Sequence, residues 1–252
     1  TAEPGFNHTE DAPRLRARAR SERRLNMSIR LCGADPIATA RSLRRQPEKR
    51  PAALDCYEFG ASRQDDPALH YEAAALAFEL GQSGRLMKAL RESVRLAPDF
   101  GDGHFELANA LMSQGHAREA IAAYRQALTL GETLSDRPMC MNNLGNALTD
   151  LGDNAGALAI FKKGLQLAPT FVYLHHGLAN VLSSLERPEE AAATLEKGLS
   201  YKPDADYLQY NYGSALRRLK RPKEAEAAFE AALSIKPNEW RYLQGMGQLL
   251  HE

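Results

Sequence analysis

Apolar residues along this chain recur at helical spacing, and the helices they predict recur in turn. In FELANALMSQG, residues 105–115, Phe105, Leu107, Ala108 and Leu111 cluster on one side of a 3.6-residue helix. A turn follows, and then REAIAAYRQALTL places Ala120, Ile121, Tyr124, Ala127 and Leu128 on a second apolar stripe. The two stripes repeat down the chain. One column holds Ala73, Leu107, Leu144, Leu178, Tyr212 and Met246, and beside it run Ala74, Ala108, Gly145, Ala179, Gly213 and Gly247. Ala120, Ala157, Ala191 and Ala225 form another, followed by Tyr124, Phe161, Leu195 and Phe229, then Ala127, Gly164, Gly198 and Ala232. Pro98, Pro169, Pro203 and Pro237 close the units. The period is 34 residues, with one insertion of three near Leu134–Arg137. A period of this size is the mark of a stacked-repeat architecture.

Turn chemistry separates the two helices of each unit. Gly81, Gly115 and Gly152 sit where a first helix should end. Pro188 and Pro222 sit where a second helix should begin, a place that tolerates a missing N–H. Each unit therefore reads as a pair of antiparallel helices. The small Gly164 and Gly198 allow close approach between helices, and Tyr124 and Phe161 fill the space between pairs. No unit can bury its stripe alone, so stability comes from stacking neighbours. GQSG at 81–84 and GDGH at 101–104 read as inter-helix turns; no strand precedes them, as a phosphate loop requires.

The columns resemble those of the tetratricopeptide repeat family, most closely at NNLGNAL…AGALAIFKKGLQLAP and YNYGSAL…EAEAAFEAALSIKP. The resemblance implies an all-α fold, a right-handed α-solenoid of antiparallel helix pairs. It implies full units at 67–100, 101–134, 138–171, 172–205 and 206–239, with a terminal helix at 240–252. Leu86 departs from the small residue of its column, and Glu186 and Lys220 stand where a turn glycine is expected. Upstream, residues 34–66 read as a degenerate helix pair with starts at Asp35–Pro36 and Pro51. Residues 1–33 read as a basic arm, disordered over 1–12 and helical over 13–31. In the terminal helix, Trp240, Met246, Leu249 and Leu250 cannot all face the preceding unit, so this end is a candidate for self-association or docking.

Net charge changes the picture only locally. The chain balances 32 Lys and Arg against 32 Asp and Glu, but residues 1–50 hold 12 against 6. The arm lacks interleaved aromatics, so nucleic acid is not the expected partner. No apolar run approaches a membrane span, and no secretory leader is visible. Cys32, Cys56 and Cys140 are odd in number and far apart, with no CxxC. They read as three reduced thiols in an intracellular, soluble protein, cytoplasmic or mitochondrial.

The resemblance also implies that first helices line a concave groove. Counting from Pro67 and likewise in each later unit, position 2 gives Tyr173, Tyr207 and Arg241; position 5 gives Phe105, Asn142, His176 and Tyr210. Position 6 gives Asn143 and Asn211, and position 9 gives Asn109, Asn146 and Asn180. Asparagine is a mediocre helix former, so the five at positions 6 and 9 need a reason. Each offers a donor and an acceptor that could grip an extended peptide, or bond a neighbouring helix and fix the angle between repeats. His176, Asn180, Asn211 and Arg241 match in part the carboxylate clamp of heat-shock co-chaperones, with His where Lys is expected and Gly245 where Arg is expected. His175 and His176 diverge by about 100° on one helix, so they cannot share a metal. No catalytic constellation, metal site or cofactor is expected. The expected role is a protein-interaction scaffold taking a peptide or partner helix. The alternatives are an assembly subunit, or the repeat region of a longer enzyme.

Overall fold

The computed structural model describes residues 30–250, so the arm expected over 1–33 lies, up to residue 29, outside the described residues. The chain forms two compact units, Thr1–Asp99 and Phe100–Glu252. Every regular element among the described residues is helical.

The first unit contains α1 (Pro36–Arg44), a 3-10 turn (Pro47–Lys49), α2 (Arg50–Gln64), α3 (Pro67–Glu79) and α4 (Ser83–Leu96). Asp35 starts α1 by accepting from the backbone N–H of Ile37 at 3.1 Å and of Ala38 at 3.0 Å. Such a cap satisfies donors that the helix itself cannot. Each helix packs on the one before it. Arg85 of α4 reaches back to Glu58 at 2.7 Å and Asp55 at 2.8 Å on α2.

Cys32 and Cys56 form a disulfide, and only Cys140 is free and buried among the described cysteines. The expectation of three reduced thiols is overturned. The two cysteines are 24 residues apart and share no spacing motif. Packing of the segment before α1 against α2 brings them together, which spacing alone cannot reveal.

The second unit contains four helix pairs and a last helix: α5 (Gly101–Ser113) with α6 (Ala117–Thr129), α7 (Arg137–Asp150) with α8 (Asn154–Leu167), α9 (Val172–Ser184) with α10 (Pro188–Tyr201), α11 (Asp206–Arg218) with α12 (Pro222–Ile235), and α13 (Trp240–Leu250). Each second helix packs on the next first helix, and successive first helices also touch, α5 to α7 to α9 to α11 to α13. The core is built from the repeating columns: Tyr124, Phe161, Leu195 and Phe229 are all almost wholly buried. A polar tie recurs as well. His175 donates from Nε2 to the Pro169 carbonyl at 2.8 Å, and Gln209, one repeat later, donates to the Pro203 carbonyl at 3.1 Å.

GDGH is not a turn: Gly101 to His104 form the first turn of α5. The helix opens at the first position of its unit, as the first helices at Pro67, Val172 and Asp206 do. Thr133 folds back on the helix start, accepting from Gly101 N–H through its hydroxyl at 2.8 Å and from Asp102 N–H through its carbonyl at 3.0 Å. A Cβ at Gly101 would lie 2.9 Å from that carbonyl oxygen, so glycine is required by close approach rather than by a turn.

First helices end alike. The turn residue has positive φ at Gly81, Gly115 and Gly152, and also at Glu186 (56°) and Lys220 (57°). The N–H after each turn residue reaches a carbonyl five residues back, as in Arg187 to Leu182 at 2.9 Å and Arg221 to Leu216 at 3.0 Å. A side chain in this left-handed region costs about 1 kcal/mol or more, and glycine recovers most of it. Glu186→Gly and Lys220→Gly are each expected to raise stability by about 0.5–1 kcal/mol. Urea denaturation of the single variants measures this; an unchanged or lower midpoint would contradict it.

Candidate functional site

The row of first helices brings the predicted polar residues into two clusters. The first lies on α5 and α7. Asn143 donates from Nδ2 to Asn109 Oδ1 at 3.0 Å, across neighbouring helices. The Tyr124 hydroxyl donates to the same oxygen at 2.7 Å. Both acceptor directions of Asn109 Oδ1 are thereby used. Asn109 donates to Glu106 at 3.3 Å, and Asn142 donates to Asn143 Oδ1 at 3.2 Å. Burial pushes the Glu106 carboxyl above its usual range, while the Asn109 hydrogen bond pulls it back. Burial likewise raises the Tyr124 phenol, which keeps its proton and donates.

The second cluster lies on α9 and α11. Asn211 donates from Nδ2 to Asn180 Oδ1 at 3.5 Å, and Asn180 Nδ2 faces His176 Nε2 at 3.3 Å. With its oxygen accepting from Asn211, Asn180 is the donor toward histidine, so Nε2 accepts and the neutral ring carries its proton on Nδ1. Burial lowers the His176 pKa, which favours that neutral form. The ring stands edge-on to Tyr207, with centroids 5.1 Å apart. Tyr207 is parallel to Tyr173, with 3° between planes and centroids 5.9 Å apart. Tyr173 leaves 45% of its surface exposed. The Tyr207 hydroxyl is buried without a hydrogen-bond partner, and burial, with Tyr173 nearby, pushes its pKa up to about 12.

The predicted residues differ in exposure and partners. Asn146 is exposed on α7. Phe105 is half-buried and tilts against Tyr124, with centroids 6.1 Å apart. Asn142 is buried. Tyr210 packs between Phe229 and Tyr242, at 5.8 and 5.0 Å. The ring contacts of Phe105 with Tyr124 and of Tyr210 with Phe229 turn these two toward the second helices. Arg241 is exposed, and its guanidinium lies 5.6 Å from the centroid of the Trp240 ring. His175 is buried on the other side of α9 from Asn180, tied to Pro169 as described. The two adjacent histidines thus serve separate surroundings, and among the described residues no group of three or more His, Cys, Asp or Glu is placed to hold a metal ion.

Two members of the site were missed by residue type. Glu106 occupies position 6, as Asn143 and Asn211 do, so its column marked it. Tyr124 belongs to a core column, and nothing in a one-dimensional pattern tells that its hydroxyl crosses to Asn109.

Residues 105–170 and 176–239 match the tetratricopeptide repeat sequence model. The chain belongs to the tetratricopeptide repeat family. A curated relative, protein FlbA of Caulobacter vibrioides, is 31% identical over 104 residues, which span 41% of this chain and 17% of FlbA. Among solved structures, PilW, described as a widely conserved type IV pilus biogenesis factor, superposes with a TM-score of 0.67 at 15% identity, covering 85% of this chain and 96% of PilW. YrrB, described as a TPR protein with an unusual peptide-binding site, gives a TM-score of 0.61 at 16% identity, covering 76% of this chain and 97% of YrrB. At these identities the two structures share the tetratricopeptide repeat fold with this chain. No helix among the described residues is long and apolar enough to cross a membrane.

Proposed function

We propose that this tetratricopeptide repeat scaffold binds an extended peptide or partner helix along the concave groove of its first helices. The observation that carries the reading is the two asparagine pairs bonded helix to helix, the second beside the stacked Tyr173 and Tyr207. Bonds such as Asn143 to Asn109 and Asn211 to Asn180 hold the amides in one orientation before any partner arrives. Side chains fixed in advance lose less entropy on binding. Each amide retains hydrogen-bonding capacity beyond its helix-to-helix bond. The ladder thus serves both roles weighed from sequence, setting the repeats and offering polar groups. Burial of His176 as a neutral ring disfavours the carboxylate clamp, which needs fixed positive charge. Nothing in this reading calls for catalysis, a cofactor or a metal.

The expected result is that Asn146→Ala with Asn180→Ala weakens peptide binding by about tenfold or more, since each lost bond contributes roughly 0.5–1.5 kcal/mol. Pull-down and titration should show this with circular dichroism unchanged. A double variant that keeps every partner at full affinity would sink the groove reading.

A second reading, an assembly subunit, is favoured by α13. Leu249 is buried there, but Trp240, Leu243 and Leu250 expose 63%, 52% and 69% of their surface. Light scattering on the wild type and on Trp240→Ser with Leu250→Ser separates the readings: self-association lost in that variant supports assembly. The match to a small part of FlbA keeps a third reading, the repeat region of a longer protein with other activities. The Cys32–Cys56 disulfide supports folding in an oxidising compartment rather than the cytoplasm.

A further inference from the structure

We propose that the side of α9 turned away from Asn180 carries a second site, a pocket for a small organic oxyanion, a carboxylate or phosphate borne on one apolar ring. The pocket has a volume of about 500 Å³ and lies where α8 and α10 flank α9. Small-molecule sites have volumes of this order and combine an apolar lining with a few polar groups. Here Leu165, Pro169, Leu178 and Ala193 supply the apolar part. The charge is of one sign: Lys162 of α8 and Lys197 of α10 line the pocket, and no acidic residue does. Neither ammonium makes a salt bridge with another described residue. Lys162 acts on Glu190, but that carboxylate accepts its hydrogen bond from Arg187. Lysine stems lie along apolar surface while their heads stay in water. With both lysines exposed, their stems extend the apolar walls and their charges stand at the edge.

His175 is a second, independent sign. It lines the pocket and is 4% exposed, with Nε2 donating to the Pro169 carbonyl and Nδ1 without a hydrogen-bond partner in the protein. Buried polar atoms are nearly always answered, so this exception calls for a reason, and a group from outside the chain is one. Neighbouring junctions of the second unit do not repeat the set. One repeat earlier, Arg125 and Lys163 hold the lysine positions, but Met141 stands in place of His175. One repeat later, Glu196 and Ala231 replace the lysines, and Tyr212 replaces Leu178. The middle junction joins two cations, an apolar lining and an unanswered nitrogen. The class of occupant follows from these limits. An oxyanion answers the ammoniums with charge-assisted bonds. A single ring suits the volume and covers the apolar lining. An inorganic ion would leave that lining wet, and a neutral ring would leave the charges unmet.

The two adjacent histidines locate a ligand, since His175 lines the pocket and His176 belongs to the asparagine cluster on α9 and α11. The test follows the histidine ring resonances of the full chain by NMR, assigned through His175→Gln and His176→Gln. Glutamine suits position 175 because Gln209 makes the equivalent tie to Pro203. The probes are phenyl phosphate, benzoate, inorganic phosphate and benzyl alcohol. Phenyl phosphate or benzoate should move His175 saturably and leave His176 in place, and the tighter of the two tells a phosphate head group from a carboxylate. Inorganic phosphate and benzyl alcohol, each lacking one half of the match, should bind roughly tenfold or more weakly. Lys162→Met with Lys197→Met keeps the apolar stems and removes the charges. It should weaken binding by roughly tenfold or more, with circular dichroism unchanged. The proposal is overturned if neither aromatic anion moves His175 saturably, or if His176 moves in its place. It is equally overturned if the double lysine variant binds as before, or if inorganic phosphate or benzyl alcohol binds as tightly as the aromatic anion.

Discussion

Phe161→Ala is expected to lower the stability of the second unit by about 3–5 kcal/mol, the range for truncating a fully buried aromatic. Phe161 has no exposed surface. It belongs to α8, and its ring fills a slot opened by two glycines on first helices. A Cβ added at Gly145 of α7 would lie 2.5 Å from its Cζ, and one added at Gly177 of α9 would lie 2.3 Å from its Cε1. The ring therefore joins three helices from two successive pairs, and its removal leaves a cavity where two columns meet. The glycines carry a companion expectation. Gly177→Ala alone should cost about 1–3 kcal/mol through overpacking, yet cost much less in the Phe161→Ala background, where the added methyl meets empty space. Guanidinium denaturation of the four-member cycle measures the coupling. A Phe161→Ala loss under about 1 kcal/mol, or additive effects, would show that the ring is not the joint described.

Breaking the Cys32–Cys56 disulfide is expected to cost the first unit about 3 kcal/mol, because its closure removes freedom from a 24-residue loop in the unfolded chain. The effect should be local to the segment before α1 and to α1 and α2, since repeat stability is a near-neighbour sum. Hydrogen exchange with and without reductant, and in Cys32→Ser with Cys56→Ser, checks this. Amides of α1 and α2 should lose protection while those around Phe161 keep it. Equal protection in oxidised and reduced protein would mean that the helices hold the segment without the covalent bond. Cys140 offers an internal control. Burial pushes its thiol pKa up to about 12, so it should react slowly with alkylating reagents while the chain stays folded.

Much of the candidate site was legible because repeats convert sequence spacing into spatial rows. Asn109 and Asn143 are 34 residues apart, and Asn180 and Asn211 are 31 apart; each pair touches. Helical geometry likewise separates His175 from His176, about 100° apart on one helix. What it could not tell was how far a side chain at the rim of a face turns inward. Tyr210 and His176 share position 5, yet Tyr210 packs on Phe229 and Tyr242 while His176 meets Asn180. The partner across the helix pair decides that, and its identity lies in another column.

By itself the sequence determined the helical repeat, its period, the helix starts at Pro188 and Pro222, and the face on which the asparagines gather. These follow from local terms, apolar spacing and backbone chemistry, which each unit states anew. The tertiary structure alone decided the Cys32–Cys56 pairing, the Thr133 contact at the start of α5, the Tyr124 bond to Asn109 and the parallel Tyr173 and Tyr207 rings. Each is a contact between segments that share no local pattern, set by how side chains on packed helices happen to meet. A period can say which residues lie in a row; only packing says which of their atoms touch.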